Sequence, residues 1–253
     1  MRTLSALIHG EPGVGKSWLA NTAPAYRLVL DAEGGSRFTP GVKTYWNALT
    51  EPPPVPGIGR SSPLGELGPL DWHTCIVHVR DYATMESACD WLFSGQHPFR
   101  SVVVDSITEL QKRLVDQVSG ISQPTQQDWG EVLRRMEDKV RKIRDLLFHA
   151  QRPLECVIII ALTHYRDGKF RPFVKGQLEL SMPGFVDIVG YLYLELGPDG
   201  IPQRKLLIAP LGDFDAKDRT DAVTRANGGP IITEPNLETM LQSIDVATSQ
   251  EAL

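Results

Sequence analysis

The eight residues from Gly10 to Ser17 constrain the fold of this chain more than any other feature of its sequence. They read Gly10-Glu11-Pro12-Gly13-Val14-Gly15-Lys16-Ser17 and match G-x-x-x-x-G-K-[ST] at every position. An apolar run over 4–9 predicts a buried strand before them, and a helix is predicted over 16–21. Such a turn points backbone N–H groups inward, toward an anion at the helix start. The pattern therefore predicts a phosphate-binding loop in an α/β fold.

This loop and a second motif predict Mg²⁺ and ATP as ligands. All eight loop residues are candidates for nucleotide binding; Lys16 is expected to reach the β- and γ-phosphates, and the Ser17 hydroxyl to ligate Mg²⁺. The second motif is the apolar strand 101–104, which runs into Asp105. A carboxylate at that position is expected to hold the Mg²⁺ ion from a neighbouring strand.

The catalytic base is expected at Glu33. Many ATPases carry a water-activating glutamate directly after the strand-ending aspartate, but here that residue is Ser106. The strand 27–30 is followed by two carboxylates, Asp31 and Glu33, beside flexible glycines. Ligands bind at the carboxyl ends of strands in open α/β sheets, where Glu33 could orient or deprotonate a water. A solvated turn carboxylate is the alternative, with Ser106 or another carboxylate then positioning the water.

The rest of the chain alternates short apolar runs with amphipathic stretches, which is typical of a mainly parallel sheet flanked by helices. Further strands are predicted at 74–79 and 157–162, and helices at 82–93 and around 132–147. Beyond residue 162 the elements look shorter and β-rich, most clearly at 191–196 and 205–208.

Length and composition predict one ATPase domain over 1–245. Residues 51–70 hold six prolines and four glycines, which predicts a mobile surface insertion, and 246–253 are expected to form a flexible tail.

No run approaches eighteen apolar residues, so no membrane span is expected. Three cysteines without a C-x-x-C and an N-terminus without a signal-peptide pattern indicate a cytoplasmic protein. The net charge of −5 argues against a wholly basic nucleic-acid coat but permits a local patch.

Other nucleotide-hydrolase classes fit the sequence less well. No N-K-x-D tetrapeptide is present, which argues against a GTPase. Residues 92–96 only faintly match the signature of transporter ATPases and are better explained as a helix end. A small-molecule kinase would want an arginine-rich lid, which the residues after Asp105 do not clearly supply.

Three motifs in order resemble the core of RecA-type recombinases: Gly10–Ser17, Asp31-Ala32-Glu33 and Val102-Val103-Val104-Asp105-Ser106. With Ala216-Lys217-Asp218-Arg219 near the end, the layout over residues 3–220 is most similar to the phage-encoded RecA-like single-strand annealing ATPases of the Sak group. The resemblance implies a RecA-like P-loop NTPase with Glu33 as base. It also implies a homo-oligomer that acts on single-stranded DNA in the host cytoplasm, with a single-strand DNA-binding protein as a further partner.

The same resemblance suggests roles for two later sites. RecA-like folds place a γ-phosphate sensor after the strand 157–162, which implies Thr163 or, preferably, His164; a core histidine is the alternative. Lys217 and Arg219 would reach across a subunit interface to the neighbour's γ-phosphate. A solvated turn of alternating charge is the alternative for this pair.

A basic, aromatic segment at 165–176 is the candidate nucleic-acid site. It contains four basic residues, one acidic residue and three aromatic rings, a mixture that suits single-stranded nucleic acid. The predicted DNA contacts are Arg166, Lys169, Phe170, Arg171 and Lys175. A β-hairpin with a solvated basic face is the alternative. If that alternative holds, the chain is a nucleotide-switched assembly or loading protein whose target is another protein.

Overall fold

The computed structural model describes residues 2–58 and 71–251. Its strands are β1 (Leu4–Gly10), β2 (Arg27–Asp31), β3 (Lys43–Tyr45), β4 (Thr74–His78), β5 (Ser101–Asp105), β6 (Cys156–Arg166), β7 (Lys169–Pro172), β8 (Ile188–Leu196), β9 (Pro202–Leu207), β10 (Lys217–Asp218) and β11 (Ile231–Thr233). Its helices are α1 (Lys16–Ala20), α2 (Tyr82–Phe93), α3 (Ile107–Ser119), α4 (Gln126–Asp145), α5 (Leu178–Phe185), α6 (Ala222–Asn227) and α7 (Leu237–Glu251).

The central sheet has the strand order β11-β9-β8-β1-β6-β5-β2-β4-β3. From β8 to β3 all neighbours are parallel, whereas β9 and β11 continue the sheet antiparallel. β10 pairs with β8, and β7 forms a hairpin with β6. This confirms the predicted α/β fold with a mainly parallel sheet flanked by helices.

The register aligns the ends of the strands that carry the motifs. Gly10 is paired with Leu162, and Asp105 with Asp31. Because parallel strands end at one edge of a sheet, the loop after β1 and the carboxylates after β2 and β5 meet there. The topology therefore assembles one site from segments that are distant in sequence.

Both faces of the sheet are buried, which explains why its strands read as continuous apolar runs. Leu28 and Leu30 pack with α2, α3 and α4 on one face. Val29 faces the other side, where α1 and α7 contribute Leu19 and Leu241. Within the described residues, no helix has the length and apolar composition that crossing a bilayer requires.

The carboxyl-terminal part differs from the expectation. The strands β8 to β11 fit a β-rich region, but α5 precedes them, α6 lies between β10 and β11, and α7 follows them. α7 continues to Glu251, so the expected tail from residue 246 is corrected to helix as far as that residue. Its apolar residues Leu237, Met240 and Leu241 are buried against the sheet, which anchors the helix. In the predicted insertion, 51–58 form neither helix nor strand, and 59–70 lie outside the described residues.

Candidate functional site

The loop from Gly10 to Ser17 joins β1 to α1. Its glycines are needed for two reasons: a positive φ at some positions and a lack of space for a side chain at others. Gly13 and Gly15 have φ of 82° and 96°, a region that favours glycine. A Cβ on Gly15 would lie 2.4 Å from Nε of Arg204, and one on Gly10 would lie 2.3 Å from the Leu192 carbonyl oxygen. The loop therefore packs directly on the β8–β9 hairpin.

The ammonium group of Lys16 is held inside this turn. Its Nζ donates to the carbonyl oxygens of Gly10 at 2.9 Å and Glu11 at 2.8 Å. Burial lowers the pKa of Lys16, while the carboxylates of Glu33, Asp105 and Glu11 act in the opposite direction. A cation whose ligands are only carbonyl dipoles, at the centre of a glycine-rich turn, fits the binding of phosphate oxygens.

Ser17 and Asp105 form the candidate metal pair. The Ser17 hydroxyl donates to Oδ2 of Asp105 at 2.7 Å, and Oγ of Ser36 lies 3.5 Å from the same oxygen. Burial raises the pKa of Asp105 to about 6, although the Ser17 hydrogen bond opposes the shift. One carboxylate beside one hydroxyl suits Mg²⁺, which takes most of its ligands from phosphates and water. The described residues hold no cluster of three or more His, Cys, Asp or Glu side chains for a protein-only metal site.

Glu33 follows β2 and is tied to the residue after Asp105. The Ser106 hydroxyl donates to Oε1 of Glu33, and the same hydroxyl accepts the Glu109 N–H at 3.3 Å at the start of α3. Asp31, by contrast, shapes the turn by accepting the N–H groups of Gly34 and Ser36. Ser106, weighed from the sequence as an alternative to Glu33, is thus its hydrogen-bond partner.

The two candidate sensors point to different neighbours. Thr163 Oγ1 lies 3.2 Å from Nδ1 of His9, which directly precedes the loop. His164 instead lies with its Nε2 3.2 Å from Oε1 of Glu179 and packs on the Phe173 ring. Thr163 is therefore the candidate that connects the loop with the β6–β7 hairpin.

The basic segment forms the β6–β7 hairpin, and its cations are paired with acids from elsewhere in the chain. Arg166 and Arg171 lie 3.4 and 3.6 Å from the buried carboxylate of Glu179. Arg171 and Lys169 lie 3.4 and 3.8 Å from the partly buried carboxylate of Asp215. Reasoning from the sequence missed these ion pairs, because neither Glu179 nor Asp215 lies within 165–176.

The other two predicted DNA contacts pack on aromatic rings outside the segment. Phe170 stacks on Phe214 with ring centroids 4.9 Å apart, and Lys175 Nζ lies 5.2 Å from the centre of the Trp129 ring. Three of the five predicted contacts form ion pairs. The side chains of Arg166 and Lys169 are more than half exposed, whereas that of Arg171 is mostly buried.

Lys217 and Arg219 lie away from the loop of their own chain. Lys217 is paired with Val189 at the start of β8, which in turn is paired with Leu7 rather than with the end of β1. The Lys217 ammonium donates to the Pro183 carbonyl. Arg219 donates to the Gly184 carbonyl at 2.6 Å and lies 3.6 Å from Asp187. The structure does not bring this pair to the phosphate loop within one chain.

A family model described as an AAA domain matches residues 2–220 and thus covers every motif of the site. The chain belongs to this AAA domain family. The AAA domain is a nucleotide-binding P-loop ATPase domain, as the loop and the strand-ending aspartate predict. No curated protein matches the chain.

Among solved structures, the AAA domain is similar to an ATPase from the type III secretion system of pathogenic bacteria. The identity is 14% and the TM-score 0.43, over 75% of this chain and 52% of that one. The chain therefore spans about half the length of that structure.

Proposed function

We propose that this AAA domain binds Mg²⁺-ATP and hydrolyses it with Glu33 as the water-activating base. One observation carries the proposal: the consecutive residues Asp105 and Ser106 contact the metal-binding serine and the base, respectively. Asp105 accepts from Ser17 at 2.7 Å, and Ser106 donates to Glu33. The metal pair and the base are thus fixed to the same turn at the end of β5.

Each residue has a role that follows from its contacts. Lys16 exchanges the Gly10 and Glu11 carbonyls for phosphate oxygens, and Ser17 with Asp105 holds Mg²⁺, which neutralises phosphate charge when bound. The Ser106 hydroxyl fixes Oε1 of Glu33, while Oε2 has no hydrogen-bond partner among the described residues. Oε2 is the atom that accepts the proton of the attacking water.

Glu33→Gln tests this role because it keeps the size of the side chain and the Ser106 contact while removing the base. ATP binding should persist and hydrolysis should fall by about 10²–10⁴-fold. Glu131→Gln, on the exposed face of α4 where Glu131 pairs with Arg135, is the matched control and should hydrolyse ATP at the wild-type rate. Undiminished turnover in Glu33→Gln would show that another group activates the water.

We further propose that single-stranded DNA is the ligand that this ATPase acts on, as in phage recombination and annealing. The support is the resemblance to the Sak group together with the tip of the β6–β7 hairpin. Tyr165, Arg166 and Lys169 are exposed there, and a ring beside two cations suits a base and its flanking phosphates. Thr163 and His9 connect this hairpin to the phosphate loop.

The test removes the two exposed cations at the hairpin tip, Arg166 and Lys169, and keeps Arg171, which is mostly buried against Glu179. Arg166→Ala with Lys169→Ala should weaken binding of single-stranded DNA. Its salt dependence, log K against log salt, should flatten by about 0.7 for each lost phosphate contact. Arg141→Ala with Lys142→Ala, on exposed positions of α4, is the charge-matched control. ATPase activity measured with and without single-stranded DNA completes the experiment.

A protein target is the second candidate function, and the ion pairs of the hairpin favour it. Glu179, Asp167 and Asp215 neutralise much of the basic charge of the segment. If single-stranded DNA neither binds nor changes the rate of hydrolysis, the nucleotide-switched loading of a protein partner replaces the DNA proposal.

A further inference from the structure

A cavity of about 390 Å³ opens at the carboxyl ends of β2 and β4, next to Glu33. We call it the arginine pocket; its lining includes Glu33, Arg37, Tyr45, His78, Arg80 and Arg113. We propose that the arginine pocket binds orthophosphate and receives it after ATP hydrolysis. The second half of this inference rests on the proposed function, whereas the phosphate site stands on the geometry of the pocket.

The cations of the pocket are incompletely neutralised. Among the described residues, no carboxylate lies within ion-pair distance of Arg37 or Arg80. Arg113 places one terminal nitrogen 3.1 Å from Glu109, but its Nε is buried without an acceptor. A guanidinium group presents a planar fork of donors that matches the oxygens of phosphate.

The carboxylates that line the pocket are already engaged. Asp31 accepts the N–H groups of Gly34 and Ser36 and lies 4.0 Å from the His78 ring, and Glu33 accepts the Ser106 hydroxyl. Within the described residues, Arg37 and Arg80 therefore have no ion-pair partner, and Arg113 has only Glu109. The pocket can gain a dianion without displacing an internal ion pair.

The position of the pocket indicates which phosphate it takes. In hydrolysis a water oxygen bonds to the terminal phosphorus, the bond to ADP breaks, and Glu33 accepts the proton of the water. Orthophosphate forms beside Glu33, which also lines the arginine pocket. The arginines converge on one cavity instead of forming a stripe, which suits a single small anion better than a nucleic-acid backbone.

A second cavity, of about 360 Å³, adjoins the arginine pocket and shares Arg80 and Arg113 with it. The rest of its lining belongs to the start of α2 and to α3 and includes the carboxylates of Asp81 and Asp116. These two acids make the second cavity a poorer site for a phosphate dianion than the arginine pocket.

The binding experiment uses the full chain saturated with Mg²⁺-ADP, so that the phosphate loop is filled. Inorganic phosphate is titrated and followed by calorimetry or by ³¹P line broadening. Arg80→Ala should weaken phosphate binding about tenfold, because it removes a charged donor. Arg134→Ala, an exposed arginine of α4 outside the pocket, is the control and should bind phosphate like the wild type.

The outcomes separate this inference from the proposed function. Equal phosphate affinity in Arg80→Ala and wild type, or no phosphate binding by either at millimolar concentrations, would overturn it. The inference would also be overturned if Arg80→Ala weakened binding of single-stranded DNA but left phosphate binding unchanged. Inhibition of ATP hydrolysis by added phosphate should weaken by the same factor in Arg80→Ala. Weakened phosphate binding in a chain that hydrolyses no ATP would support the site and reject the proposed hydrolysis.

Discussion

Burial of Asp105 favours its protonated form, whereas the proposed metal site requires its carboxylate. Its carboxyl group is almost fully buried, and burial raises its pKa from 3.8 to about 6. The carboxylates of Asp31 and Glu33 act in the same direction, against the Ser17 hydrogen bond. At neutral pH the group is ionised, and Lys16 and the Ser17 hydrogen bond offset the cost of its burial only in part. A bound Mg²⁺ would offset more of that cost.

Asp105→Asn should therefore change how stability depends on pH. Between about pH 4 and pH 6 the folded wild type holds a proton that the unfolded chain has released, so its free energy of unfolding decreases as the pH rises. The variant lacks this loss, so its free energy of unfolding should rise by about 2 kcal/mol relative to that of the wild type between pH 4 and pH 7. Urea unfolding at several pH values measures the difference.

His9 provides the internal check on this measurement. Burial lowers the pKa of His9 to about 4, so its contribution makes stability increase with pH over the same range. It is present in both chains and cancels in their difference. A difference that stays constant from pH 4 to pH 7 would show that Asp105 titrates normally.

At this scale, the sequence predicts residues whose role lies in a local motif. Lys16, Ser17 and Asp105 could be placed because strand, turn and helix signals surround them. Glu179 could not, because its contacts with His164 and Arg166 exist only once α5 packs beside the β6–β7 hairpin. The partner of a charged side chain is decided by tertiary packing, to which a single sequence gives little access.

At the scale of elements, agreement with the sequence is uneven. β4 ends within one residue of its expected end, and the bounds of α2 agree with the expectation, because both have a clear buried pattern. α3 was not predicted, although its buried residues Ile107, Leu110 and Leu114 recur at helical spacing directly after the motif at Asp105. α7 was missed because only a few apolar residues near its start anchor it.

Two glycines, one inside a helix and one directly after a helix, give a matched test of element stability. Gly130 lies inside α4, and a Cβ there would meet no atom within 4 Å. Gly130→Ala should raise the free energy of unfolding by about 0.5–1 kcal/mol through helix propensity. Gly228 ends α6 with φ of 73° and has equal space, so Gly228→Ala should cost about 1 kcal/mol from backbone strain alone. Thermal or urea unfolding compares the two, and changes of the same sign would contradict the argument.

At the scale of the whole molecule, the position of β10 bears on assembly. Lys217 and Arg219 contact the carbonyls of Pro183 and Gly184, toward the amino-terminal ends of β1 and β8 and away from the loop that follows β1. If they act on ATP, they act on the nucleotide of a neighbouring subunit. The specific rate of hydrolysis should then increase with protein concentration.

Mixing two inactive chains tests this arrangement. Arg219→Ala retains an intact phosphate loop, and Lys16→Ala retains the basic pair, so a mixture should recover part of the activity that each lacks. Arg219 is about half exposed, so its removal should leave the fold intact. A chain that stays monomeric at every concentration, with no recovery at any mixing ratio, would assign the pair to a solvated turn.

The central place of β1 has a consequence for how the protein is made. β1 leaves the ribosome before the other strands of the sheet, and its partners β6 and β8 begin about 150 and 180 residues later. At 5–20 residues per second, the strand waits roughly 8–30 s for its first neighbour. Throughout that time the nascent chain carries the nucleotide loop on an unpaired apolar strand, and chaperones that bind such segments have a long window in which to act.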